Sequence, residues 1–295
     1  MSKESNEIKE LSGKILENYE KKSIINPERL FEQPDRNSVN DILDKLVKIV
    51  FPAFYREKEY RFYNINTRLN VLIEDVYYNL NKQIPIALRQ KPENENKSDE
   101  EICAESKKIA NEFLSNIPKV RDLVETDVQA SYDGDPAAFN TNEIILCYPG
   151  LRAITISRLA HELFLLGVPL IPRMWTEYAH SRTGIDIHPG ATIGKYFCID
   201  HGTGIVIGET TVIGDYVKVY QGVTIGALST RGGQSLKGTK RHPTIEDRVT
   251  IYAGASILGG ETVIGHDTVI GSNAFITESV GPNERVSMCC DSTKG

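Results

Sequence analysis

Two short strings carry the side chains best suited to chemistry: Asp200-His201, and Arg241-His242-Pro243 at the end of a basic loop. Imidazole titrates near the working pH of most enzymes, so His201 is a candidate general base for a weak nucleophile such as a hydroxyl. The loop from Ala227 to Pro243 is glycine-rich and contains Arg231, Lys237, Lys240 and Arg241. Such a loop can fold over a ligand and offer cations to carboxylate or phosphate, or it can be a solvated insertion. The six histidines, His161, His180, His188, His201, His242 and His266, contain no His-x-x-x-x-His pair, so a zinc hydrolyase is not expected. The five cysteines are odd in number and irregularly spaced, which fits a reducing compartment and argues against a disulfide framework. Nothing around Cys198 would activate a thiolate, so an acyl-enzyme is not expected.

The elements that must position these residues announce themselves by a period of six. Aliphatic residues recur at Ile187, Ile193, Ile199 and Ile205, resume after a two-residue slip at Ile207, Ile213, Val219 and Ile225, and return at Ile245, Ile251 and Ile257. After a one-residue slip they continue at Ile264, Ile270 and Ile276. A period of six is neither that of an amphipathic helix nor that of a simple strand, and it identifies a hexapeptide-repeat parallel β-helix. Three hexapeptides close a triangular coil of about 18 residues, with one inward aliphatic residue per strand stacked on those above and below. Asp200 and His201 follow the inward Ile199 and so are free to point outward.

Residues 1–183 are different in kind, rich in Glu, Lys, Asn and Leu, with helical periodicity over 39–50, 67–89, 101–115, 119–132 and 150–166. Lys91 to Lys97 is a polar break, and Gly167 and Pro169 end the last of these helices. The expected fold class is therefore α+β: an all-helical domain over 1–183, then a left-handed parallel β-helix over 184–280 with an extruded loop at 227–243, and a short tail over 281–295. With 295 residues, 40% hydrophobic and 25% charged, the composition is that of a soluble globular protein. The polar N-terminus has no signal-peptide character, Tyr148 to Trp175 is interrupted by charges, and the net charge of −6 gives no sign of nucleic-acid binding. A cytoplasmic protein with no membrane or nucleic-acid partner is expected.

Three strings then carry a resemblance. Thr183-Gly184-Ile185-Asp186-Ile187-His188-Pro189-Gly190-Ala191, Asp200-His201-Gly202-Thr203-Gly204-Ile205-Val206-Ile207-Gly208-Glu209-Thr210 and Arg241-His242-Pro243, with Asp135-Pro136-Ala137 upstream, resemble serine O-acetyltransferase. The resemblance runs from about Thr126 to Ile276. It implies transfer of acetyl from acetyl-CoA, a co-substrate, to the hydroxyl of L-serine, giving O-acetylserine for cysteine biosynthesis without a metal.

By that resemblance His201 is the base, oriented by Asp186, while His242 pairs with Asp200 and holds the substrate or the developing oxyanion. Asp135 meets the substrate ammonium, with Asp133 a nearby competitor, and Arg241 grips the carboxylate with its planar fork. Asp127 also matches a family motif, or is a solvated helical charge. The pantetheine arm of CoA is expected against Gly226, Ala227, Ala253 and Gly271, with Lys237 or Lys240 toward phosphate. Family members pack prisms in trimers, often paired into hexamers, with each site between two subunits, so a trimer or a dimer of trimers is implied. This chain departs from the family at Ala227, in its longer loop and at its C-terminus. It lacks the isoleucine-ended tail, which argues against a complex with O-acetylserine sulfhydrylase. The competing readings are acetylation of another hydroxyl substrate such as homoserine, and a non-catalytic oligomerisation scaffold.

Overall fold

A computed structural model describes residues 3–21, 33–55 and 64–287. Cys289 and Cys290, and most of the expected tail, lie outside the described residues. The chain divides into two compact units, Met1–Pro34 and Asp35–Gly295. The first contains helix α1 (Lys3–Tyr19), on which Ile8, Leu11, Ile15 and Tyr19 recur at helical spacing and are exposed. The second contains both the remaining helices and every strand described. The boundary expected near residue 183 is therefore a change of secondary structure and not a break in packing, because one hydrophobic cluster runs from Val39 and Leu46 through Trp175 to Ile199 and Ile270.

Among the described residues, seven α-helices of the second unit precede the strands: α2 (Arg36–Val50), α3 (Ile65–Leu88), α4 (Asp99–Ser115), α5 (Ile117–Gly134), α6 (Thr141–Cys147), α7 (Pro149–Leu165) and α8 (Ile171–Thr183). Their ends follow local chemistry. Asp35 caps α2 by accepting from the Ser38 amide, and Ser98 with Glu101 forms a reciprocal capping box on α4. Gly184, at φ 69°, closes α8 in the left-handed conformation that a side chain would disfavour. Helices α6 and α8 have no counterpart among the periodic segments; α8 starts on Ile171-Pro172, two residues after Pro169, the proline that ended the previous pattern. Trp175 of α8 is fully buried, and its indole N–H donates to the Val39 carbonyl at 2.9 Å.

Among the described residues fourteen short strands follow: β1 (Asp186–Ile187), β2 (Thr192–Ile193), β3 (Cys198–Asp200), β4 (Val206–Ile207), β5 (Val212–Ile213), β6 (Lys218–Tyr220), β7 (Thr224–Gly226), β8 (Thr244–Ile245), β9 (Thr250–Ile251), β10 (Ser256–Leu258), β11 (Val263–Ile264), β12 (Val269–Ile270), β13 (Phe275–Ile276) and β14 (Arg285–Val286). They form three parallel sheets, the faces of a prism: β1-β4-β7-β10-β13, β2-β5-β8-β11 and β3-β6-β9-β12-β14. This is the parallel β-helix that the six-residue rhythm predicts. Ile187, Ile207, Ile225 and Ile257 stack in register inside the first face. A second inward position lies two residues earlier: Ile185, Ile205, Val223 and Ala255 are all buried, so Ile205 belongs to this set and not to the strand set. Strand β14 pairs with β12, which carries the prism past Val280.

The slips in the rhythm fall at corners. Val206 and Thr224 pair at a spacing of 18 residues, whereas Asp186 and Val206 are 20 apart. The two additional residues lie between Ile199 and Ile207, in the corner that holds His201. The spacing from Thr224 to Ser256 is 32, because the loop after Gly226 leaves the coil and the strands resume in register at Thr244.

Helices α5, α7 and α8 pack against β1 and β3, the strands of the first coil. The bond between the two parts is ionic as well as apolar. Asp127 of α5, fully buried, receives Arg158 of α7 through Nε at 2.6 Å and Nη2 at 2.8 Å, and accepts from the Phe197 amide at 3.0 Å. Arg158 also donates to the carbonyls of Ile193 and Gly194, at 3.0 and 2.7 Å. Asp127 is thus a buried tie between helices and prism, and the solvated reading of its charge does not hold.

Candidate active site

The chemically capable residues collect on two different corners of the prism. The first is the corner leading from the β3 face to the β1 face. Strand β3 ends on Asp200, and His201 turns outward at φ 59°, a conformation rare for a residue with a side chain, leaving its ring 74% exposed. Gly202 and Gly204 follow with positive φ, and Gly204 stacks on Gly222, the ordinary residue of this corner one coil along. His201 therefore projects where the corner is lengthened, while Gly202 turns inward against Ile185 and Ile199.

Asp200 lies beneath them, with Oδ1 at 3.7 Å from His201 Nε2 and Oδ2 at 3.0 Å from the Lys218 ammonium. Lys218 also donates to the Gly134 carbonyl at 2.7 Å and lies 4.8 Å from the Tyr220 ring centre. Burial alone would lower the Lys218 pKa, but its bonds with Tyr220 and Asp200 outweigh that and raise it. Asp135 arrives from the other side, at the end of α5. One oxygen accepts from the Ala137 amide at 2.8 Å and the other from the Tyr148 hydroxyl. Those two bonds, then the charges of Lys218 and His201, hold the Asp135 carboxyl below its usual range, and its bond to Tyr148 pushes the phenol up to about 12. Asp133 points away, accepting from Gln129 at 2.7 Å.

The second corner leads from the β1 face to the β2 face, where the loop leaves and returns. His242 is 8% exposed. Its Nδ1 accepts from the Thr210 amide at 3.1 Å and lies 2.9 Å from the Thr210 hydroxyl, whose oxygen accepts from the amides of Arg241 and His242. With Nδ1 an acceptor, this assigns the proton to Nε2 and makes that nitrogen a donor. The ring lies on the bare backbone of Gly208, where a Cβ would sit 2.0 Å from His242 Cδ2. Burial, then the charge of Arg241, pulls the His242 pKa down to about 4. Arg241 is ion-paired with Glu209. Burial would raise the Glu209 carboxyl, and its hydrogen bond with Arg241 reverses this.

A stability prediction follows from His242. Its folded-state pKa is depressed below the ordinary 6.5, so the unfolded chain binds the extra proton between those values. Folding stability should fall as pH drops from about 6.5 to 4. Denaturant titrations across this window check it, and a His242→Gln variant should show a flatter dependence.

The remaining expected residues are placed as follows. Among the described residues no hydrogen bond joins Asp186 to His201: Asp186 pairs with Arg173 of α8 at 3.1 Å, because α8 runs beside β1 and offers a guanidinium there. Asp186 also lies with Glu177 and His180 in a three-residue group, and Arg173 pairs with both carboxylates. Asp200 and His242 stand on separate corners of one chain, so they do not pair within it. Gly226 and Ala227 lie on the His242 corner; Ala253 and Gly271 lie on the His201 corner, further along the prism. Ala253 accepts from Asn273 at 2.9 Å, and Gly271 donates to Val286 at 2.7 Å. Lys240 donates to the carbonyls of Thr210 and Pro243, at 2.7 and 3.2 Å, and so closes the base of the loop. Lys237 is exposed. Cys198 is 6% exposed and burial pushes its thiol up to about 11, which leaves it unreactive.

Sequence reasoning missed Tyr148, Thr210, Glu209 and Lys218 as parts of these corners. The coil register could have found Lys218, since β6 pairs with β3 and puts Lys218 and Tyr220 opposite Cys198 and Asp200.

A prism of parallel coils with an exposed histidine on one corner and a buried one at the base of a basic loop on another is the arrangement of a hexapeptide-repeat acyltransferase. No protein-family model matches the chain. A Synechococcus elongatus serine acetyltransferase is 41% identical over 228 residues, covering 75% of this chain and 72% of that protein. A Synechocystis serine acetyltransferase is 48% identical over 123 residues, and there the match spans 47% of the relative. The crystal structure of Entamoeba histolytica serine acetyltransferase 1 in complex with L-cysteine is similar with a TM-score of 0.72 and 34% identity, covering 87% of both chains. The chain belongs to the serine acetyltransferase family. Among its described residues, no helix is long and apolar enough to cross a membrane.

Proposed function

We propose that this enzyme transfers acetyl from acetyl-CoA to the hydroxyl of L-serine, at a site completed by two chains. One observation carries the reading: the two sets of groups that the reaction needs sit on separate corners of one prism. Prisms packed side by side bring the His201 corner of one against the His242 corner of the next, which makes a trimer the smallest closed assembly. A dimer of trimers would keep the same site.

In that site Asp135 receives the substrate ammonium and Arg241, held by Glu209, receives the carboxylate. The hydroxyl then lies toward His201. His201 takes its proton as the oxygen attacks the thioester carbonyl, and returns it to the departing CoA sulfur. The Nε2–H of neutral His242 donates to the oxyanion. Asp200 faces the same centre from beneath His201. Asp186, which by the family resemblance accepts from the other ring nitrogen of His201, would orient that ring only after leaving Arg173. The pantetheine arm is placed along the His201 corner past Ala253 and Gly271, with Gly226 and Ala227 contributed from the adjoining chain. The buried thiol of Cys198 supports direct transfer. The cytoplasm, where both substrates are available, is the expected compartment.

The test is steady-state acetyl transfer to serine, homoserine and threonine, with L-cysteine as competitor. Serine should be preferred by the largest kcat/KM; equal values for the three would overturn the substrate assignment. Asp135→Ala should raise the KM for serine roughly tenfold or more, the loss of about one charge-assisted hydrogen bond, and leave that for acetyl-CoA nearly unchanged. Equal changes in both would remove Asp135 from the ammonium role.

A further inference from the structure

The ammonium of Lys218 joins two parts of the site that are distant in sequence. It donates to the Gly134 carbonyl at 2.7 Å, one residue before Asp135, and lies 3.0 Å from Asp200, one residue before His201. Its side chain is 19% exposed, and it packs toward the Tyr220 ring, which itself stacks on Tyr252 at 5.0 Å. Gly134 leaves room for it: a Cβ there would meet Lys218 Nζ at 3.3 Å. Asp135 and His201 have no such direct link, since Asp135 is bound by Tyr148 and Ala137 and His201 by Asp200.

We propose that Lys218 is a positioning residue for acetyl transfer, setting the distance between the turn that binds the substrate ammonium and the strand end that carries the base. The inference rests on the serine-acetylation reading. Asp135 belongs to the helical part and His201 to the prism, so their separation depends on how α5 is seated on the first coil. Lys218 fixes that seating at the site itself. It also neutralises Asp200, which leaves Asp135 as the carboxylate available to a substrate ammonium. A lysine that acted only in packing would affect stability and leave the kinetic constants of the folded enzyme alone.

The experiment compares wild type, Lys218→Met and Lys218→Arg in the full-length protein, with thermal melts as the control for folding. Lys218→Met keeps the aliphatic stem and removes the donor. Its kcat should fall about 10- to 100-fold, the scale of a misplacement near 1 Å, while KM for serine and acetyl-CoA stay within about threefold of wild type. Lys218→Arg, which can reach the same two acceptors, should recover part of the loss. Should Lys218→Met fail to fold, Gly134→Ala takes its place, because the added methyl crowds the ammonium at 3.3 Å and shifts it slightly without altering its charge; it should reduce kcat in the same selective way, by a smaller factor. Unchanged kcat in the folded variant, or a loss shared by kcat and both KM values that Lys218→Arg does not relieve, overturns the proposal. A wild type that does not acetylate serine removes the functional reading as well, whereas an active wild type with an unaffected Lys218→Met removes only this one.

Discussion

Replacing His201 with alanine should lower kcat/KM for acetyl transfer by about 10²- to 10⁴-fold, the range lost with a general base, and leave the fold intact because the ring is 74% exposed. Replacing His242 should cost about 10²- to 10³-fold if its Nε2–H serves the oxyanion. The two variants are most informative together. If each site takes His201 from one chain and His242 from the next, unfolding and co-refolding the two inactive proteins builds some interfaces that carry both histidines. Activity should then reappear in the mixture. A mixture no more active than its components would place the whole site within one chain, against the separation of the two corners described above.

Asp127→Ala should produce the largest loss of stability, about 3–5 kcal/mol, because it strands Arg158 in a buried position without its partner. In a chain of this size that corresponds to a fall in Tm of roughly 6–20 °C. The side chains are 0% and 5% exposed, so water cannot compensate the guanidinium as it would at a surface. The amides of Phe197 and Tyr196 are held by Asp127 and Thr126, so the entry to β3 loosens too. Denaturant or calorimetric unfolding measures the effect, and a loss below about 1 kcal/mol would mean that the pair behaves as an exposed one.

Much of the architecture was legible because a β-helix repeats the same local demand. Ile187, Ile207 and Ile225 must each face inward, and any sequence that meets this at a period of six declares its strands. The interruptions were legible for the same reason: the slip before Ile207 and the excursion after Gly226 are the lengthened corners that carry His201 and His242. Partners across space were not. Asp127 reads as an ordinary helical charge until Arg158, two helices further along the chain, is placed against it. Asp186 lies on the strand expected, but the helix beside it contributes Arg173, and no periodicity indicates which charge will arrive there. Lys218 looks like any outward residue of a hexapeptide until the register with Asp200 is known. The division of the site between two corners needed the sheet topology, since sequence spacing alone gives no face.

The seating of α5, α7 and α8 on the first coil bears on endurance as well as on chemistry. A solenoid held only by its neighbours loses structure from an unsupported end, where each departing coil gives up one interface instead of two. Here the coil that bears Asp200 and His201 is anchored by helices on one side and by β4 to β6 on the other. Transient opening that starts at the far coils can therefore come and go while the base keeps its place, so what such opening interrupts is the seat of CoA beside Ala253 and Gly271 and not the position of His201.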